Sequence, residues 1–378
     1  MTKQRQRVRL VGHPFMPIGM GEHLRNTWRS LNSVAAHPAL TDIYKLVVPE
    51  PAQMAEFGAA LTDEVAEINV FHINGNEVEQ ALAHLAYREA WQGYNIVFPM
   101  WELPRYPAEW ARQLDRFDEI WAPSAFVRDA LEAACMKPVV HLTQACEVTL
   151  ATFLGRRHFG IPENEYVFLF MYDLRSFSTR KNPHGVIDAF RSLVAARPFS
   201  RIHLVIKVNG VAGDAGDFAA LEAAVSDLAG HVTLIKHMLT ENEVKNLVRC
   251  CDCFVSLHRS EGYGLGIAEA MALGMPVIAT AFSGNMDFMR PDVSFAVDYD
   301  LVAVNEGEYP HHAGQVWAQP DGAQASEFMR ALVDDPQSGR DRGSLARRHM
   351  RSEFSYRAGG IRYLNRLRQI ADIRRNFD

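Results

Sequence analysis

The chain reads as an α/β protein of two domains, each a parallel sheet wrapped by helices. Three observations predict this. Short apolar runs of strand length alternate with amphipathic segments almost throughout the sequence. Its 378 residues exceed what one compact core holds and divide into two domains of roughly 150 to 200 residues. The alternation is broken between Glu147 and Glu165, where the polar, turn-rich run from Leu154 precedes a new buried strand. The expected divisions are 1–150, 151–352 and a closing C-terminal helix over 353–378.

In order, the first-half strands are Val8 to Gly12, Ile43 to Val48, Ile68 to Ile73, Asn95 to Met100, Glu119 to Ala122 and Pro138 to Leu142. Helical patterns such as Asn76 to Trp91 and Ser124 to Ala134 lie between them, with Ser124 behind Pro123 as an N-cap. The second half repeats the theme with strands at Tyr166 to Met171, Ile202 to Val208, Val232 to Ile235, Cys253 to Leu257 and Pro276 to Thr280. Thr240-Glu-Asn-Glu243 is a capping box opening the helix before Cys253. After Ser352, Ile361, Leu364, Leu367 and Ile370 recur at helical spacing among arginines. That pattern fits a closing helix packed on the body, or a basic amphipathic helix on a membrane surface.

Composition narrows the function. With 48% hydrophobic and 22% charged residues the chain is of ordinary globular make-up. A net charge of −6 gives none of the basic stripe of a nucleic-acid binder. No run reaches the roughly 18 apolar residues of a spanning helix, and the polar Met1 to Arg9 leads into too short an apolar stretch for a signal peptide. Cys250, Cys251 and Cys253 crowd one apolar stretch with no second pair to complete a zinc site, so they read as buried thiols in a reducing cytoplasm.

The most informative stretch is Glu261-Gly-Tyr-Gly-Leu-Gly-Ile-Ala-Glu269, followed by Ala-Met-Ala-Leu-Gly-Met-Pro-Val-Ile-Ala-Thr280. Leu265, Ile267, Ala268, Met271 and Ala272 make an apolar helix face, Gly274 a C-cap and Pro276 a stop. Glu261 then lies in the loop ahead of the helix and Glu269 in its early turns. Carboxylates accept hydrogen bonds from sugar hydroxyls, and helix N-terminal amides favour anions. Gly262, Gly264 and Gly266 allow close backbone approach. One segment is thus suited to hold both ends of a sugar nucleotide; taken alone, its glutamates also fit a solvated loop and helix.

Ser260 to Thr280 resembles the glutamate-seven-glutamate signature of glycosyltransferase family 4. The likeness extends to Asp173-Leu-Arg-Ser-Phe-Ser-Thr-Arg-Lys-Asn-Pro183 and to Ser283-Gly-Asn-Met-Asp-Phe288, a version similar to bacterial polysaccharide and lipopolysaccharide-assembly hexosyltransferases. It covers the second half by motif and the first half by layout. The resemblance implies a GT-B fold, two Rossmann-like domains facing across a cleft, and a retaining transferase. By the same resemblance Glu261 contacts the transferred sugar and Glu269 the ribose. Gly262, Tyr263, Gly264 and Leu265 approach the donor, and Lys181, with Arg175 as companion, holds the diphosphate. His258 is a further donor-side candidate.

In the first half, Gly19 and Gly21 follow the first strand where the family places a glycine turn; the segment fits an ordinary strand-to-helix turn equally well. Where the family often carries a histidine, this chain has Trp101 and Glu102. Glu102 is suited to hydrogen-bond sugar or acceptor and Trp101 to stack on a sugar face; both also fit a packed tryptophan and an ion-paired glutamate. His72 ends another strand and is an acceptor-side candidate or a structural hydrogen-bonder. Asp298-Tyr-Asp300 resembles a manganese-binding pair of a different transferase fold, but lies late and in an expected loop, so no metal is assigned.

The resulting expectation is a cytoplasmic, metal-independent, retaining hexosyltransferase that uses no cofactor. It moves a hexose, with a lean to mannose, from a GDP- or UDP-linked donor to a saccharide or lipid-linked oligosaccharide acceptor, with peripheral membrane contact. The alternatives are a sugar-nucleotide epimerase on the same fold and a non-catalytic sugar-nucleotide-binding scaffold.

Overall fold

A computed structural model of the chain describes residues 8–85, 92–210 and 214–377. The chain forms two compact units. Unit 1 comprises Met1–Cys146 with Ser352–Asp378, and unit 2 is Glu147–Arg351.

Unit 1 runs β1 (Val8–Gly12), α1 (Gly19–Ser33), β2 (Ala39–Asp42), α2 (Pro51–Phe57), β3 (Ile68–Phe71), α3 (Val78–His84), β4 (Tyr94–Val97), α4 (Ala108–Leu114), β5 (Glu119–Ala122), α5 (Ala125–Glu132) and β6 (Val139–His141). The strands pair in the order β2-β1-β3-β4-β5-β6, all parallel. The order reverses between β1 and β3, and ligands of open α/β sheets bind outside the carboxyl ends at such a point. Leu10, Val70, Ile96, Phe98 and Trp121 form the core beneath.

Unit 2 runs β7 (Tyr166–Asp173), α6 (Ser178–Lys181), α7 (Pro183–Ala196), β8 (Ile202–Asn209), α8 (Ala215–Ala224), β9 (Val232–Ile235), α9 (Glu241–Cys250), β10 (Cys253–Ser256), α10 (Leu265–Leu273), β11 (Val277–Thr280), β12 (Phe295–Val297), β13 (Tyr299–Ala303), β14 (Val316–Pro320), α11 (Gly322–Asp334) and α12 (Pro336–Glu353). Its parallel sheet has the order β12-β11-β10-β7-β8-β9, so the reversal lies between β7 and β10.

The last helix, α13 (Tyr356–Phe377), packs along α1 in unit 1. Gly360 makes the close crossing possible, because a Cβ there would stand 2.1 Å from the Ser30 carbonyl oxygen. Tyr363, Leu367 and Ile370 are buried, and the Arg366 guanidinium neutralises the fully buried Glu119, its Nε donating to Oε1 at 2.9 Å. The apolar face considered for a membrane surface is therefore occupied by the core of unit 1; Ile361 is the member of the expected stripe left 44% exposed. No helix among the described residues is long and apolar enough to cross a membrane.

Several local expectations hold. Ser124 caps α5 by accepting from the Val127 amide, Thr240 and Glu243 form the capping box of α9, and Gly274 ends α10 at φ 81°. Two do not. The apolar run from Ile43 to Val48 is not a strand: β2 precedes it at Ala39–Asp42, and its partner β1 ends at Gly12, opposite Asp42. With no ladder to continue, the segment turns at Lys45, which takes φ +51°. Asp300 is not in a loop: β13 pairs antiparallel with β14, setting Asp300 opposite Gln319. The expected helix from Asn76 to Trp91 is α3 over its first part, and 86–91 lie outside the described residues.

Candidate active site

The site of unit 2 is built from the two loops that leave the sheet on either side of its reversal. The first leaves β7 at Asp173, passes Phe177 at φ 61° and folds into the single turn α6, which Asn182 ends in the left-handed region at φ 55°. Non-glycine residues in that region are uncommon and need support. Asn182 supplies its own, accepting from the Gly185 amide at 3.1 Å to cap α7 and donating to the Leu257 carbonyl at 2.8 Å. That second bond ties the first loop to the end of β10.

The second loop carries Glu261. Its amide donates to Ser283 Oγ at 2.7 Å and its carbonyl accepts from the Gly284 amide at 2.9 Å. Ser283 is held at φ 75°, and a Cβ on Gly284 would lie 2.0 Å from the Gly262 carbonyl oxygen, so only glycine fits there. The Glu261 side chain, 12% exposed, meets two cations from the first loop: Lys181 Nζ at Oε1, and Arg180 Nη1 at 3.1 Å from Oε2. Arg180 is itself 4% exposed and also donates to the Ser260 carbonyl at 2.8 Å. Burial alone would raise the Glu261 pKa, but Lys181 and Arg180 outweigh it and hold the carboxyl down at about 2. Two cations against one carboxylate leave this corner net positive, which favours an incoming anion.

His258 stands under the loop with no exposed surface. Its Nε2 lies 3.0 Å from Asn285 Oδ1 and 3.3 Å from the Phe282 carbonyl, so Nε2 carries the hydrogen and Nδ1, at 3.1 Å, accepts from Ser256 Oγ. Burial lowers its pKa and keeps it neutral. It braces the Glu261 and Ser283 loops against each other rather than presenting a ring to a ligand.

Gly264 precedes α10 as its N-cap at φ 90°, a conformation for which glycine is the natural choice, and it brings no side chain of its own to the amides behind it. Tyr263 is 3% exposed and lies against Phe288, whereas Leu265 and Glu269 are partly exposed on α10. Arg175 stands apart from the cluster: it is 48% exposed and grips Asp173, with Nε to Oδ1 at 3.0 Å and Nη2 to Oδ2 at 2.8 Å. The second cation beside Glu261 is Arg180, which the sequence reading passed over although it adjoins Lys181. Lys207 lies buried in β8, its Nζ donating to the Val208 carbonyl at 3.1 Å, and burial lowers its pKa to about 8 despite the nearby Asp173.

The remaining candidates belong to unit 1. Gly21 needs to be glycine, since a Cβ would stand 2.4 Å from the Met16 carbonyl oxygen; a Cβ on Gly19 would meet nothing within 4 Å. Trp101 is 2% exposed, donates Nε1–H to the Arg105 carbonyl and packs edge-on to Tyr106 and Trp110, so it offers no open face for a sugar. Glu102 beside it is partly exposed. His72 is fully buried against His23 and Phe98, and burial keeps both histidines neutral. Among the described residues no group of three or more His, Cys, Asp or Glu is arranged to hold a metal ion.

Two Rossmann-like parallel sheets define a chain of the GT-B fold. Residues 154–301, which span the whole cluster of unit 2, match the family model of glycosyl transferases group 1. A D-inositol 3-phosphate glycosyltransferase of Thermomonospora curvata is 27% identical over 203 residues, 52% of this chain and 42% of that protein. A GDP-mannose-dependent monoacylated alpha-(1-6)-phosphatidylinositol monomannoside mannosyltransferase of Corynebacterium glutamicum is 25% identical over 193 residues, 49% of this chain and 43% of that protein. The chain thus spans less than half the length of these relatives. Among solved structures, the Anabaena HepE protein in complex with UDP and glucose superposes with a TM-score of 0.70 at 12% identity, covering 96% of this chain and all of that one. The sucrose-phosphate synthase of Thermosynechococcus elongatus gives 0.69 at 15% identity, covering 98% of this chain and all of that one. At such identities the structural likeness shows the fold.

Proposed function

We propose that the chain is a retaining hexosyltransferase that takes its sugar, mannose first among the candidates, from a nucleoside-diphosphate donor and delivers it to a saccharide or lipid-linked saccharide. The observation that carries this reading is the Arg180–Lys181–Glu261 cluster at the sheet reversal of unit 2. A diphosphate leaving group gains charge as the glycosidic bond breaks, and fixed cations stabilise that charge most in a partly dry site. Lys181 and Arg180 are such cations, which makes a metal unnecessary for that task. Glu261 holds both in place before the donor arrives and is positioned to accept from sugar hydroxyls once Lys181 turns to phosphate. Departure of the diphosphate with acceptor attack on the same face needs no protein nucleophile. The name of the Corynebacterium relative supports GDP-mannose, and the family resemblance supports retention.

The test is turnover of GDP-mannose, GDP-glucose, UDP-glucose and UDP-N-acetylglucosamine with and without saccharide acceptors, the product anomer being read by NMR. Acceptor-dependent release of nucleoside diphosphate with a retained anomer is expected. A modified sugar nucleotide formed without acceptor would make the chain an epimerase, and tight donor binding without turnover a scaffold.

A further inference from the structure

The hairpin β13–β14 supplies none of the cluster's charges, and most of it lies beyond residue 301, where the match to the family model ends. It forms a two-stranded sheet of its own, with Leu301 opposite Ala318 and Val302 opposite Trp317. Two strands alone are marginally stable, so contacts outside the ladder must hold them. Arg259, two residues before Glu261, provides such contacts. Its carbonyl accepts from the Ala318 amide at 2.9 Å, and its guanidinium lies 5.2 Å from the centre of the buried Trp317 ring. Nη2 also donates to Gln319 Oε1 at 2.9 Å. The Arg259 amide in turn donates to the Arg180 carbonyl at 2.8 Å. One residue therefore joins the hairpin to the loop that carries the cations.

The segment 304–315 between the two strands is folded on itself. The Val304 amide donates to the Gln315 carbonyl at 3.0 Å and closes its base. The Asn305 amide donates to Glu308 Oε2 at 2.7 Å, and Glu308 Oε1 lies 3.6 Å from Arg259 Nη1. These bonds set the next residue, Tyr309, against the cluster. Tyr309 is 8% exposed, with its ring centre 4.7 Å from that of Phe177 and 5.9 Å from the Arg180 guanidinium carbon. Phe177 stands at φ 61° just before α6, and Arg180 is the α6 cation paired with Glu261. A strained backbone persists only where its surroundings hold it, and an aromatic face within about 6 Å attracts a guanidinium. Both conditions meet at one ring.

We propose that Tyr309 is a positioning residue: through Phe177 and Arg180 it fixes the turn of α6, so that the Arg180 guanidinium stands ready for a phosphate group. Tyr309 acts through Arg180 and touches no ligand itself. The assignment rests on the transferase reading, in which that phosphate belongs to a nucleoside diphosphate.

The probes are UDP and GDP, titrated calorimetrically into the full chain as wild type, Tyr309→Leu, Tyr309→Phe, Arg180→Ala and the Tyr309→Leu/Arg180→Ala double variant. Circular dichroism and melting establish that each is folded. Tyr309→Leu weakens the bound diphosphate about tenfold, the scale of a desolvated cation–ring contact. Tyr309→Phe keeps the ring and stays within about twofold of wild type. In the Arg180→Ala background Tyr309→Leu adds no further loss, because the group it acts through is gone. Should Tyr309→Leu fail to fold, Tyr309→Met takes its place in the same cycle. Losses that add, a Tyr309→Phe loss as large as that of Tyr309→Leu, or unaltered affinity in folded Tyr309→Leu overturns the proposal and leaves the diphosphate site standing. Binding of neither nucleotide to the wild type removes the transferase reading, and the role of Tyr309 with it.

Discussion

The two units share one architecture, a six-stranded parallel sheet with a single reversal, yet fill the reversal with opposite chemistry. In unit 2 the flanking loops bring Arg180, Lys181 and Glu261 together, with Phe177 and Asn182 in the first of them and Ser283 in the loop after β11 at positive φ. In unit 1 the corresponding ends carry a His13–Glu77 pair and a buried His23–His72 contact, and an apolar cavity lies to one side at the end of the edge strand β2. Backbone strain persists only where the surroundings enforce it, and Phe177, Asn182 and Ser283 carry it in the loops around the charged cluster, whereas in unit 1 it falls on Ala35, His37 and Lys45 rather than on His13 or Glu77. The comparison teaches that one sheet order can carry cations around a carboxylate in one unit and neutral histidines beside a carboxylate in the other, so side chains rather than fold set the charge presented at the reversal.

Removing the charges should break the contrast most. Lys181→Ala and Arg180→Ala are each expected to lower transfer by about a hundredfold or more if they stabilise the departing diphosphate, as steady-state kinetics would register. Near-normal turnover in both would dissolve the distinction between the two reversals.

A stability effect of about 3 kcal/mol comes next. Glu261 titrates near 2 in the folded chain, below the ordinary glutamate range. Its contribution is therefore full above about pH 4.5 and is lost as pH falls towards 2, amounting to about 3 kcal/mol. Denaturant unfolding followed between pH 5 and 2 should show the loss, and Glu261→Gln should flatten the profile; an unchanged slope in the variant would show that Glu261 is not held by its cations.

Glycine substitutions sharpen the comparison further. Gly284→Ala drives a methyl against the Gly262 carbonyl and should cost about 1–3 kcal/mol, whereas Gly19→Ala enters open space and should stay within about 0.5 kcal/mol. Thermal melts of the pair would decide it, and equal costs would contradict the packing described. The smallest effect is expected from Arg175→Ala. Its exposed bridge to Asp173 is worth about 1 kcal/mol or less, and turnover should change by a few-fold at most. A loss as large as that of Arg180→Ala would restore the role that the sequence pattern implied for Arg175.

Much of unit 2 was legible because local chemistry dictates it. The capping box at Thr240, the glycine end of α10 and the Glu261-to-Glu269 motif are short-range signals whose physics needs no tertiary context. Arg180 was hidden because nothing local distinguishes it from Arg175. Only the turn of α6, set by two positive-φ residues, aims Arg180 and Lys181 at the same carboxylate. The run from Ile43 to Val48 misled for a related reason, since strand propensity cannot act where the neighbouring strand has already ended. Trp101 and His72 follow or end strands, a pattern that fits a cleft residue and a packed one equally, and only tertiary context shows both buried among aromatic neighbours. The His13–Glu77 pair joins residues 64 positions apart and leaves no sequence signal.

The role proposed for the Arg180–Lys181–Glu261 cluster is to bind a nucleoside diphosphate. The most direct test is calorimetric titration of UDP and GDP, with and without EDTA, into the wild-type chain and the Arg180→Ala/Lys181→Ala double variant. Binding of one diphosphate is expected, indifferent to EDTA, stabilising the fold by about 2.7 kcal/mol at a hundred times its Kd and lost in the double variant. Unaltered binding in that variant, or no binding of either nucleotide to the wild type, would contradict it.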